Sequence, residues 1–102
     1  MRILAVNLNL KNSQNKLKSL RGFASVTLLI EDKELQINDF RIYDNNGGRS
    51  WIILPQLEWT NPKREVCRKP LLRMVYSWEE EIKSRILDEY QSLTAGVGSN
   101  GN

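Results

Sequence analysis

Histidine is absent from this chain, and cysteine occurs once. The first absence removes the commonest general base and the commonest metal ligand, which counts against hydrolase and metalloenzyme chemistry. The second leaves Cys67 with no partner for an internal disulfide, as expected of a protein in a reducing cytoplasm. Long apolar runs are missing too. None approaches the roughly 20 residues that a membrane-spanning helix needs, so no membrane span is expected. Met1–Val6 carries one positive charge and a short apolar stretch. It lacks a full hydrophobic region and a small-residue cleavage site, and reads as a strand rather than a signal peptide. With 102 residues the chain has room for one modest core, hence one domain.

What the sequence does contain is strand periodicity. Leu4, Val6, Leu8 and Leu10 alternate with Ala5, Asn7 and Asn9, the two-residue repeat of a half-buried strand. Lys11–Lys18 is polar and reads as an exposed loop. Phe23–Ile30 then places Ala24, Val26, Leu28 and Ile30 on one face, and Glu31-Asp32-Lys33 makes a short polar turn. In the next strand Leu35 and Ile37 share one parity, while Phe40 and Ile42 take the other. A β-bulge at Asn38-Asp39 would produce that slip. The segment Asp44-Asn45-Asn46-Gly47-Gly48 is built of residues that tolerate positive φ, so Phe40–Tyr43 and Trp51–Leu54 should form a hairpin around it.

Trp51-Ile52-Ile53-Leu54 is apolar on both faces, which suggests a central strand covered on each side by a helix, another sheet or a second subunit. Pro55 ends it. Gln56–Pro62 reads as an exposed connection carrying Trp59, and Val66–Tyr76 as an extended segment interrupted by Pro70. A helix is expected over Trp78–Leu93. Ser77 and Glu80 have capping-box spacing, and Glu79, Glu80 and Glu81 suit the positive end of its dipole. Trp78, Ile82, Ile86, Tyr90 and Leu93 give it one apolar stripe, expected to lie on the sheet. Thr94–Asn102, rich in small polar residues, is expected to be a disordered tail beyond a domain of residues 1–93. The fold class implied is α+β: an antiparallel sheet of four to five strands with one C-terminal helix packed on it.

Three segments bear a family resemblance. Leu20-Arg21-Gly22-Phe23-Ala24-Ser25-Val26-Thr27-Leu28 resembles the R-A-hydrophobic-A-S-hydrophobic-T-L strand of the SpoVG family, the bacterial septation and sporulation regulators. Ile37-Asn38-Asp39-Phe40-Arg41-Ile42-Tyr43-Asp44 resembles its I-H-D-I-R-V-I strand, followed by an Asn-Gly turn and a strand ending in proline. Ile82, Ile86, Leu87, Glu89, Tyr90 and Leu93 match the helix pattern I-x-x-x-V-L-x-E-Y-x-x-L. The resemblance implies a small antiparallel domain that dimerises through its strands and binds DNA, in some members RNA, in a regulatory role without enzymatic activity. Trp51, Ile52, Ile53 and Leu54 are the dimer interface expected on this reading. The chain departs from the family after Pro55, where Gln56-Leu57-Glu58 replaces a Ser-Lys-Arg triplet. Asn38 replaces the histidine of I-H-D.

A replacement for the lost positive charge lies downstream. Lys63–Arg73 holds five basic residues, Lys63, Arg64, Arg68, Lys69 and Arg73, against the single acid Glu65. Clustered cations of this kind neutralise phosphates, with salt-sensitive affinity and little base information. Lys83 and Arg85 on the helix are further candidates, and Trp59 is a candidate for stacking on an unpaired base. The bland alternatives are a solvated basic loop for the cluster and a core or interface role for Trp59. Asp39 and Arg41 share a parity and suggest a same-face salt bridge of little energetic weight. Cys67 lies between basic residues that would favour a reactive thiolate, but with no histidine or second cysteine it reads as a small buried or semi-buried side chain. Gly47-Gly48 lacks the Lys-Ser/Thr and the helix of a phosphate loop. No catalytic residues, metal, cofactor or small-molecule substrate are expected. Nucleic acid and a second copy of the chain are the expected partners, and a protein-interaction module on the same fold is the alternative.

Overall fold

A computed structural model describes residues 1–11, 19–45 and 49–100, with side chains described up to residue 94. The elements in chain order are β1 (Arg2–Leu10), β2 (Leu20–Ile30), β3 (Lys33–Asp44), β4 (Ser50–Ile53), β5 (Gln56–Thr60), β6 (Val66–Pro70) and α1 (Tyr76–Asn100). β1 to β4 form an antiparallel meander whose spatial order is the chain order, and β5 and β6 form a separate antiparallel pair. α1 lies against the larger sheet and touches β1 and β4. The α+β class and the C-terminal helix match the sequence reading. The strand inventory differs, because Gln56–Thr60 is β5 rather than a loop.

The core lies between α1 and one face of the sheet. Ala24, Val26 and Leu28 of β2, Phe40 and Ile42 of β3, Ile52 of β4, and Ile82, Ile86 and Tyr90 of α1 are buried together. Spacing of four along α1 puts its three members on one stripe, and alternation puts the strand members on one face. Trp78 and Leu93 fall at the ends of that stripe; Trp78 is half-buried and Leu93 is exposed.

Three register shifts interrupt the strands, one of them between Leu20 and Gly22, where β2 carries one residue more than β3. Between Ala24↔Phe40 and Val26↔Ile37, β3 carries one residue more than β2, at Asn38-Asp39 as expected. Asp39 sits at φ 70°, a left-handed conformation that aspartate tolerates better than most residues. A third shift, between Ile3 and Ala5 in β1, was not foreseen. It leaves Ile3, rather than Leu4, packed against the core beside Val6 and Leu8, while Leu4 is exposed.

Three further expectations need correcting. β4 is an edge of the sheet and not a central strand. Its mixed apolar pattern arises because Ile52 enters the core while Trp51 stacks on Tyr43, with ring centroids 5.4 Å apart, on the opposite face. α1 begins at Tyr76, so Ser77 is inside its first turn; the Val75 carbonyl accepts from the amides of Trp78 and Glu79. At the far end α1 runs past Leu93 to Asn100, since each added residue of an existing helix closes one more hydrogen bond. The loop expected at Lys11–Lys18 lies, apart from Lys11, outside the described residues, as do Asn46, Gly47 and Gly48. The hairpin around the latter is closed by the Asn45 amide donating to the Arg49 carbonyl at 3.0 Å.

Two contacts lend themselves to tests. A Cβ at Gly22 would stand 2.4 Å from the Asn9 carbonyl oxygen and 2.7 Å from the Leu10 Cα, both backbone atoms of the neighbouring strand. Gly22→Ala should therefore force β1 away and lower stability by roughly 1–3 kcal/mol in urea unfolding. Tyr90 donates from its buried hydroxyl to Asp44 Oδ2 at 2.8 Å, tying α1 to the end of β3. Burial, followed by the neighbouring Asp44 carboxylate, pushes the phenol up from 10.0 to about 12. Because the folded value is the higher one, this stabilisation is complete below pH 10 and is lost as pH rises towards 12. Between those limits the wild type should lose roughly 2 kcal/mol more than Tyr90→Phe, read from urea melts at each pH.

Candidate nucleic-acid interface

The basic segment is organised by a hairpin. β5 and β6 pair from Gln56↔Pro70 to Thr60↔Val66, and the Leu71 amide donates to the Pro55 carbonyl at its base. Asn61 builds the turn. Its side-chain oxygen accepts from the amides of Lys63 and Glu65, both at 2.9 Å, and its carbonyl accepts from the Arg64 amide. Arg64 takes a left-handed φ of 65° there. An Asn-Pro start is a known turn signal, and it was the sequence cue for this hairpin that the reading of a plain connection passed over.

Alternation divides the expected site residues. Lys63 and Arg64 stand exposed at the turn, and Arg73 stands exposed beyond β6. Arg68 shares a face with Glu58, its direct cross-strand partner, and with Gln56. Lys69 is on the reverse face beside Leu57, Trp59 and Cys67. Trp59 and Leu57 are exposed and Cys67 is half-buried, so Trp59 is not a core residue of this chain. Lys83 and Arg85 lie elsewhere. Lys83 pairs with Glu79 at 3.6 Å and borders a cleft with Trp51, Ile52 and Ile53. Arg85 pairs with Glu89 at 3.4 Å and borders a separate cleft with Met1 and Ile3. The expected cations thus do not form one surface.

Of the residues expected at a dimer interface, Ile52 is in the core and only 4% exposed. Leu54 is partly buried against the core, and Trp51 and Ile53 are half-buried. Trp51 and Ile53 lie on the sheet face turned away from α1.

That face also holds the charge network missed in the sequence. Arg41 does not pair with Asp39. Its Nη2 donates to Glu58 Oε2 at 2.9 Å, and Arg68 Nε approaches the other oxygen of the same carboxylate at 3.6 Å. One carboxylate therefore sits between two guanidiniums, tying the hairpin to the sheet. A hydrogen bond to Tyr43, then Glu58, raises the Arg41 pKa further above its ordinary value. The hydrogen bond from Arg41, with help from Arg68, holds the Glu58 carboxyl below the usual carboxylate range. Around this network stand Phe23, opposite Arg41, and the stacked Tyr43–Trp51 pair. Lys11 lies over the Phe23 ring at 5.3 Å and Arg49 over the Trp51 ring at 6.0 Å.

Among the described residues no group of three or more Cys, Asp or Glu is placed to hold a metal ion, and no helix is long and apolar enough to cross a membrane. Comparison with family models, curated proteins and solved structures found no match for this chain.

Proposed function

We propose that this chain is a dimeric nucleic-acid-binding regulatory protein, resembling the SpoVG family, that contacts phosphates through its basic hairpin. The observation that carries the reading is the gathering of Lys63, Arg64, Arg68 and Lys69 on β5–β6 and its turn, with Arg73 just beyond. Exposed cations held on a backbone scaffold neutralise phosphates without reading sequence. The outer edge of β4 is open for a second copy to extend the sheet, with Trp51, Ile53 and Leu54 beside the seam. Ile52 would contribute its backbone alone, its side chain being in the core.

A second reading has its own support. Leu57, Trp59, Val66 and Leu71 are large apolar residues exposed on or next to the same hairpin, and such surface marks protein contacts. On that reading the fold serves protein partners and nucleic-acid binding has been lost.

Fluorescence anisotropy of labelled duplex DNA and single-stranded RNA, titrated across salt, separates the two. The proposed function requires affinity that falls steeply as salt rises, and at least a tenfold loss when Arg68, Lys69 and Arg73 are all changed to alanine. Equal binding by the triple variant removes the hairpin from the site. No binding at low salt favours the protein-interaction reading.

A further inference from the structure

We infer that the sheet face turned away from α1 is a binding surface for single-stranded nucleic acid, with Glu58 acting as a built-in anionic competitor for its two central arginines. This rests on the proposed function and specifies which form of nucleic acid is bound and where.

The composition of the face points to that ligand. Phe23, Tyr43 and Trp51 come to it from three adjacent strands by the alternation that sends Ala24, Ile42 and Ile52 into the core. They are half-buried, so each ring keeps some accessible surface. Cations border them all: Lys11 over Phe23, Arg49 over Trp51, and Arg41 two residues from Tyr43 on the same face of β3. Flat rings interleaved with Lys and Arg meet the two needs of an unpaired strand, a stacking surface for bases and positive charge for the backbone. A duplex keeps its bases stacked on one another and has no use for the rings.

Glu58 gives the face its second property. Its carboxylate holds Arg41 and Arg68 as a phosphate would, one oxygen to each guanidinium. Arg41 is largely enclosed there, with a side-chain exposure of 17%, whereas Arg68 is 58% exposed. A strand laid across Tyr43, Trp51 and Ile53 reaches the cleft that these residues form with Gln56 and Arg68. Its phosphate then displaces the carboxylate from Arg68, and at full engagement from Arg41. Glu58 therefore lowers affinity for the strand.

The test uses the full chain and a fluorescein-labelled 20-nucleotide single strand of mixed sequence, with its duplex as comparison. Glu58→Gln should bind the single strand several-fold more tightly than wild type, with a salt slope steeper by about one. Tyr43→Leu should bind it about tenfold more weakly, with little change for the duplex. Glu58→Gln alters an exposed side chain and stays informative if Tyr43→Leu fails to fold. If Glu58→Gln leaves single-strand affinity unchanged while alanine at Lys63 and Lys69 lowers it, the site is the hairpin's outer surface and this inference fails while the proposed function stands. If neither wild type nor Glu58→Gln binds any strand at low salt, the proposed function itself fails.

Discussion

One extra residue in β3 decides what each face of this protein is. Without the bulge at Asn38-Asp39, the parity that sends Ile37 towards α1 would send Phe40 and Ile42 to the opposite face and turn Arg41 and Tyr43 inward. A guanidinium would then be buried without a partner, and two of the largest core side chains would be lost to solvent. The left-handed Asp39 absorbs the slip. Beyond it, core and open face are both in phase, and the helix stripe of Ile82, Ile86 and Tyr90 has a continuous apolar surface to cover.

The molecule is thin for its breadth, 44 × 43 × 19 Å. That is one sheet with one helix layer, since a layer packed face to face adds about 10 Å. One sheet face is thus left to the hairpin and to whatever binds there. β5–β6 would be marginal by itself, as isolated two-stranded pairs are in water. The Arg41–Glu58–Arg68 network fastens it to the sheet, so a single carboxylate serves both to hold the hairpin and to occupy two cations. A ligand that competes for those cations also acts on the hairpin's attachment.

Much of the fold was legible in the sequence because the signals were local. Strand alternation in β2, the parity slip in β3, the Asn/Gly-rich connection to β4 and the four-residue spacing of Ile82, Ile86 and Tyr90 each depend on neighbours along the chain. The misreadings required tertiary knowledge. Trp51–Leu54 looks doubly covered from its composition, yet Trp51 owes its partial burial to Tyr43 across the strand pair. Leu4 has the expected parity and is displaced by a bulge that no residue type announces. The site was harder still. Counting charges in Lys63–Arg73 found the hairpin's cations, but Glu58 read as a subtraction from a basic motif. Its position opposite Arg68 follows only once Asn61-Pro62 is taken as a turn and Gln56–Thr60 as a strand.

The most direct measurement is a backbone-amide NMR titration of the protein with a short single-stranded oligonucleotide. Shift changes centred on Phe23, Arg41, Tyr43, Trp51 and Glu58 are expected, with the α1 residues of the core unmoved. Changes confined to Asn61–Glu65 and the exposed side of the hairpin would contradict a binding face on the sheet.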